Sequence, residues 1–208
     1  MMGGYPWIKV CGMTDGENIR EVEALGADLL GFIFYPRSPR CVREVPAYLP
    51  VRAGRVGVFV NAPREEILRR HETFRFDFVQ LHGDESPAFC AQLRERDGLR
   101  VIKAFGIGAD PVDRLAGDYD GSCDLFLFDT RTSARGGSGR QFDWSVLEDY
   151  SGKTRFLLSG GLGPDSAESL RGFSAPLLAG FDLNSRFETA PGLKNASLLA
   201  AFLKQLQR

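Results

Sequence analysis

Histidine is almost missing from this chain of 208 residues: His71 and His82 are the only two. Paired cysteines are missing as well, since Cys11, Cys41, Cys90 and Cys123 lie far apart and form no CxxC. A Cys/His zinc site would have to be assembled from scattered positions, so no metal is expected. Neither sign of charge prevails, with 26 Lys and Arg against 27 Asp and Glu, a net charge of −1. A protein that neutralises many backbone phosphates needs a basic surplus, so nucleic acid is not the expected partner. A small anion held by one or two local charges fits this balance. No eighteen apolar residues run together, so no membrane span is expected. The start, MMGGYPWIKV, carries no basic n-region and no apolar run suited to export. With unpaired cysteines, this points to the cytoplasm.

What is present is a regular alternation. Apolar runs rich in Val, Ile, Leu and Phe recur at Trp7–Cys11, Leu29–Phe34, Arg55–Val60, Phe76–Leu81, Arg100–Phe105, Leu125–Asp129, Arg155–Ser159 and Leu177–Leu183. Short runs of this kind are strands buried on both faces. Between them lie helical patterns. Asp15–Leu25 has Thr14 as a candidate cap, and Pro63–His71, Pro87–Arg96 and Pro164–Leu170 each open on a proline suited to a first helical position. Ala196–Leu206 closes the chain with an apolar stripe. The second crossover, Val42–Val51, holds two prolines and reads as short or irregular. Eight parallel βα units close into a (β/α)₈ barrel, and residues 1–208 are expected to be one such domain of the α/β class. A doubly wound open sheet competes, but no GxGxxG follows the first strand; the glycine-rich Gly136–Gly139 follows the sixth.

Barrel active sites sit at the C-terminal strand ends and the loops beyond them. Here those ends hold Cys11, Tyr35 with Arg37 and Arg40 beyond, Asn61, His82, Phe105, Asp129, Ser159–Gly161 and Asp182. Alternation puts Lys9 and Cys11 on one face of the first strand, opposite Ile8 and Val10. Leu125, Leu127 and Asp129 share a face of the sixth strand, and Leu178, Gly180 and Asp182 share one of the eighth. An inert buried thiol is the plain reading of Cys11, and a helix cap or a partner to Arg that of Asp129; finding both at one mouth shifts the balance toward chemistry without deciding it. Gly160–Gly161 and the Gly180–Ser185 segment follow the last two strands, where barrels commonly hold a phosphate on backbone N–H groups. Ordinary turn chemistry is the competing explanation.

The motifs resemble the phosphoribosylanthranilate isomerase family. The matching segments are KVCGMT (Lys9–Thr14), GFIFYPRSPRCV (Gly31–Val42), VGVFVN (Val56–Asn61), VQLHGDE (Val79–Glu85) and KAF (Lys103–Phe105). FDT and GGSGRQFDW (within Phe128–Trp144), SGGL (Ser159–Leu162), and GFDLNSRFE with PGLK (within Gly180–Lys194) follow in family order. The resemblance implies a (β/α)₈ barrel performing an Amadori rearrangement in tryptophan biosynthesis without metal or organic cofactor. A small phosphorylated substrate is implied as the partner, and the protein is expected to be a monomer or homodimer. By motif, Cys11 looks like the general base and Asp129 like the general acid. Arg40 looks like the partner of the anthranilate carboxylate, its fork suited to two parallel hydrogen bonds; Arg37 is left as a solvated loop residue. Gly160, Gly161, Asn184 and Ser185 look like the phosphate cradle, and Asp182 is placed beside the substrate nitrogen. Two positions depart from the family pattern: Ser138 stands for Thr in GGTG, and Arg186 stands for Gly in SSG. If that last position needs positive φ, Arg186 costs roughly 1–2 kcal/mol. Either the loop has changed shape or Arg186 works near the phosphate.

The implied chemistry needs an acid for the furanose ring oxygen and a base for the C2′ proton. Neither group is ready at its reference pKa. At pH 7 a protonated Asp129 costs about 4 kcal/mol and a Cys11 thiolate about 2. Burial among Phe126, Leu127 and Phe128 would raise the aspartate, and a nearby cation would favour the thiolate. Lys9 shares the Cys11 face, but an inert inward-packed barrel lysine is at least as good a reading of it. Competing functions are a Schiff-base aldolase or lyase using Lys103 or Lys9, a metal-dependent epimerase, and a non-catalytic phosphate-binding barrel. His82 is read as a pocket residue or as a partner of a neighbouring loop, without a choice between them.

Overall fold

The computed structural model describes residues 6–107, 112–129 and 144–206. Eight strands close into one parallel barrel in chain order. They are β1 (Trp7–Cys11), β2 (Leu29–Ile33), β3 (Gly54–Phe59), β4 (Phe78–Leu81), β5 (Val101–Gly106), β6 (Leu125–Asp129), β7 (Phe156–Ser159) and β8 (Leu178–Leu183). Closure excludes the open sheet, and β1 meets β8 with Lys9 beside Asp182. Each apolar run of the sequence became a strand within two residues of its expected ends.

The helices are α1 (Gly16–Ala24), α2 (Arg64–Phe74), α3 (Pro87–Glu95), α4 (Val112–Ala116), α5 (Ala167–Gly172) and α6 (Ala196–Leu206). The cap of α1 is Asp15, not Thr14: extended at its own position, Asp15 accepts the Asn18 N–H at 2.9 Å. Thr14 lies one residue too early and donates instead to the Gly192 carbonyl. Pro63 sits just before α2 rather than in it, and the helix runs on to the buried Phe74 before Arg75 ends it in the left-handed region. Pro164 opens a 3₁₀ turn that leads into α5. Among the described residues no helix separates β2 from β3, as the prolines foretold. Glu23 of α1 fastens that crossover, accepting the N–H groups of Val51, Arg52 and Ala53 and the Tyr48 hydroxyl. These bonds, against the cost of burial, hold its carboxyl down to about 2.

Strand alternation builds two apolar layers. Cys11, Val56, Val58, Ile102, Ala104, Leu125, Leu127 and Leu157 fill the barrel interior, while Val10, Phe59, Val79, Phe126, Phe128 and Leu158 face the helices. One expectation fails here. In β8, Phe156 pairs with Leu178 but Leu157 with Gly180, so Ala179 is an extra residue. The bulge sends Leu178 to the helix-facing layer and Ala179 inward, and Leu178 does not share the face of Asp182.

Candidate active site

The interior ends at its C-terminal mouth in a cavity of about 110 Å³. Cys11, Asp129, Gly160, Gly161, Asp182, Asn184 and Ser185 all line it, so seven of the eight expected site residues meet in one place. Ile33, Val58 and Leu162 supply apolar wall. Across the strands from Cys11, a Cβ on Gly31 would stand 2.8 Å from the thiol sulfur, so the glycine makes room for it.

Cys11 and Lys9 point inward together, as their parity requires. Lys9 is fully buried and donates to Asp182 Oδ1 at 2.7 Å; Ser159 Oγ donates to the other carboxylate oxygen at 3.2 Å. Burial opposes the Lys9 charge, but Asp182 and Cys11 outweigh it and raise the ammonium above its ordinary value. The Cys11 thiol moves up too: burial dominates, Lys9 and Lys194 pull back toward the thiolate, and Asp182 adds to the rise. Lys9 is therefore an electrostatic neighbour of Cys11, but its charge is shared with Asp182 and does not make the thiol acidic.

Asp129 is buried at the end of β6, where Leu125 and Leu127 share its face; Phe126 and Phe128 pack on the helix side. His82 lines the cavity with Nε2 at 3.6 Å from Asp129 Oδ2, beyond direct hydrogen-bond reach, while Nδ1 lies 3.3 Å from Gln80 Nε2. Gln80 is a buried wall residue that the sequence reading passed over. Its signal was available: a polar residue in an apolar strand, in step with Phe78 and His82.

Gly160 and Gly161 both have positive φ, 95° and 68°, a turn that carries side chains poorly. Asn184 leads into the turn Ser185–Phe187. Among non-glycine described residues only Asn61 and Arg75 have positive φ, so Arg186 is not strained there. Arg186 lines the cavity and pairs with Asp165 at 3.2 Å, both groups largely exposed.

Arg40 does not line this cavity. Its guanidinium grips Glu188, at the start of a two-stranded hairpin, β9 (Glu188–Ala190) and β10 (Leu193–Lys194), that the sequence reading missed. Arg37 is exposed, as expected of a loop residue. Lys103 points out of the barrel and donates to the carbonyls of Leu81, Gly83 and Ala104 and to Glu85. Neither Lys103 nor Lys9 lines the cavity, which removes the amine that a Schiff-base enzyme would need. Among the described residues no group of three His, Cys, Asp or Glu is placed to hold a metal ion, and no helix is long and apolar enough to cross a membrane. Gly136–Gly139, with Ser138, lies outside the described residues.

Comparison with known proteins agrees with the barrel fold. Residues 8–205 match the family model of N-(5′-phosphoribosyl)anthranilate (PRA) isomerase. An N-(5′-phosphoribosyl)anthranilate isomerase of Phocaeicola vulgatus is 50% identical over 201 residues, covering 97% of this chain and 98% of the relative. The crystal structure of phosphoribosyl anthranilate isomerase from Thermotoga maritima is similar with a TM-score of 0.83 at 35% identity, over 97% of this chain and 98% of that one. A further phosphoribosyl anthranilate isomerase structure, in complex with reduced 1-(o-carboxyphenylamino)-1-deoxyribulose 5-phosphate, has a TM-score of 0.81 at 31% identity, with coverage of 97% and 98%.

Proposed function

The chain belongs to the N-(5′-phosphoribosyl)anthranilate isomerase family, and from that premise we infer what each group at the barrel mouth does. The protein isomerises N-(5-phosphoribosyl)anthranilate to 1-(2-carboxyphenylamino)-1-deoxyribulose 5-phosphate in tryptophan biosynthesis, and we place it in the cytoplasm. The observation that carries the assignment of roles is that a thiol and a carboxyl, Cys11 and Asp129, line one small cavity from strands three places apart around the barrel.

Asp129 gives its proton to the furanose ring oxygen as the C1′–O4′ bond breaks, leaving a Schiff base to the anthranilate nitrogen. Cys11, as thiolate, removes the C2′ proton, and the enolamine so formed tautomerises to the ketone. The steps move only protons and electron pairs within one molecule, so the chemistry calls for no redox partner. Asp182, held by Lys9 and Ser159, accepts from the substrate nitrogen. The N–H groups of Gly160 and Gly161, with Asn184 and Ser185, hold the phosphate. Arg40 takes the anthranilate carboxylate at the rim.

A fluorescence assay following consumption of phosphoribosylanthranilate tests this in metal-chelated buffer. Turnover is expected to persist, thiol alkylation to abolish it, and substrate to protect Cys11 from the reagent. Loss of turnover on chelation, restored by a divalent ion, would remove the acid–base assignment.

A further inference from the structure

Glu188 stands outside the barrel strands, and the charged groups around it converge on it. Arg40 Nε lies 2.8 and 3.0 Å from its two oxygens, and Arg40 Nη2 donates at 2.6 Å. Lys194 Nζ donates at 2.6 Å and the Gly192 N–H at 3.2 Å. The Glu188 side chain is 5% exposed and that of Lys194 fully buried. Two cations and one carboxylate leave one net positive charge, with Glu188 and Lys194 buried and Arg40 partly exposed. Stability alone does not ask for such a triad, since well-packed apolar residues of the same volume often serve as well.

The geometry says what it is good for. A guanidinium can grip a carboxylate side-on, through Nε and one Nη, or end-on, through both Nη groups. Glu188 takes the side-on edge of Arg40. Among the described residues Nη1 has no partner, so the end-on edge is left over and its direction is set by Glu188. The Arg40 stem lies against Gly12, the residue after Cys11. A Cβ there would be 2.8 Å from Arg40 Cδ and 3.0 Å from Asn184 Oδ1. Lys194 joins the same stack to the cavity, donating to Asn184 Oδ1 at 2.8 Å.

We propose that Glu188 is a positioning residue for recognition of an aryl carboxylate, holding Arg40 side-on so that its end-on edge meets the substrate. The single net positive charge of the Arg40–Glu188–Lys194 triad matches the single charge of that carboxylate. A lysine at position 40 would offer both partners only single, unoriented hydrogen bonds, because an ammonium is a point charge without a planar fork. The proposal rests on the reading of Arg40 given above.

The test is a binding measurement by calorimetry with two ligands, the reduced carboxyphenylamino product analogue and its counterpart lacking the carboxylate. The quantity read is the ratio of the two affinities. Arg40→Ala is expected to collapse that ratio by about 30-fold or more, and Glu188→Gln by about 10-fold, the scale of hydrogen bonds to charged groups. The double variant should lose no more than Arg40→Ala alone, because both changes remove one interaction. If Glu188→Gln folds and keeps the wild-type ratio while Arg40→Ala collapses it, the positioning role falls and the reading of Arg40 stands. Equal losses for both ligands in Glu188→Gln would also overturn the role. A ratio untouched by Arg40→Ala removes both ideas. Should Glu188→Gln not fold, Glu188→Asp decides: it keeps a charge for Lys194 but falls a methylene short of Arg40, and a wild-type ratio there overturns the proposal.

Discussion

Two strand lysines are buried in this barrel, each against one carboxylate, and they do different work. Lys9 on β1 is paired with Asp182 at 2.7 Å, and Lys103 on β5 with Glu85 at 3.2 Å. Lys9 has the parity of Cys11 and points inward beneath the cavity, so its charge reaches the thiol. Lys103 lies between the inward Ile102 and Ala104, so it points outward. There it collects three carbonyls, while Glu85 accepts the N–H groups of Asn61 and Gly83. That arrangement fastens the loop after β4. Both pairs set a buried lysine against a buried carboxylate; the face of the strand separates a fastening from an electrostatic neighbour of the reaction.

The largest expected effects come from removing the reacting groups themselves. Cys11→Ser and Asp129→Asn should each lower kcat by at least ~10²-fold, the low end of what a positioned acid or base contributes. A substrate analogue already ring-opened at the sugar should partly rescue Asp129→Asn and leave Cys11→Ser inactive. Near-normal turnover in Cys11→Ser would make the thiol mere packing and turn attention to Asp182.

Next come the lysines themselves. Lys9→Met and Lys103→Met each leave a buried carboxylate unpaired, and urea unfolding should show a loss of about 3–5 kcal/mol for either. Their pH profiles should part. The Cys11 thiol already lies above its ordinary value, so kcat/KM should rise with pH on the alkaline side of neutrality. Without the Lys9 cation that rise should move to still higher pH, whereas Lys103→Met should leave it in place. A common shift in both variants would dissolve the distinction between the pairs.

A third buried carboxylate sharpens the comparison because no lysine holds it. Glu23 is bonded to N–H groups and a hydroxyl, and its folded pKa of about 2 lies below the ordinary glutamate range. A depressed pKa contributes stability that is complete above the unfolded value and is lost as pH falls toward 2. Wild type should therefore lose about 1–3 kcal/mol more than Glu23→Gln when acidified from pH 6 to pH 2.5. Parallel acid titrations of stability for the two proteins would deny Glu23 this role.

The smallest effect belongs to an exposed pair. Arg186 shares its charge with Asp165 in solvent, where ion pairs contribute little. If Arg186 also serves the phosphate, Arg186→Gly should raise KM roughly threefold and reduce its salt dependence. Unchanged KM and unchanged melting temperature would make it a bystander.

Much of this could be read from the chain before any tertiary structure. The eight strands announce themselves because a strand buried on both faces must be apolar along its length. Parity within β1 and β6 aimed Cys11 and Asp129 at the mouth. The family motifs supplied roles that periodicity could not. Three features left no local signal. The bulge at Ala179 leaves no mark in an apolar run, since either register buries a Leu. The β9–β10 hairpin is too short to show a period. Glu23, apart from its helical neighbours, looks like any solvated glutamate of an amphipathic helix.

The sequence by itself determined the order of βα units, the inward set of side chains outside the β8 bulge and the residues at the strand ends, because these follow from periods of two and 3.6 along a local stretch of chain. Only the tertiary structure decided which charges meet. Lys9 finds Asp182 across 173 positions and Arg40 finds Glu188 across 148. Closing the barrel puts the first strand beside the last, and a buried charge then has to be satisfied by whatever that closure places within reach.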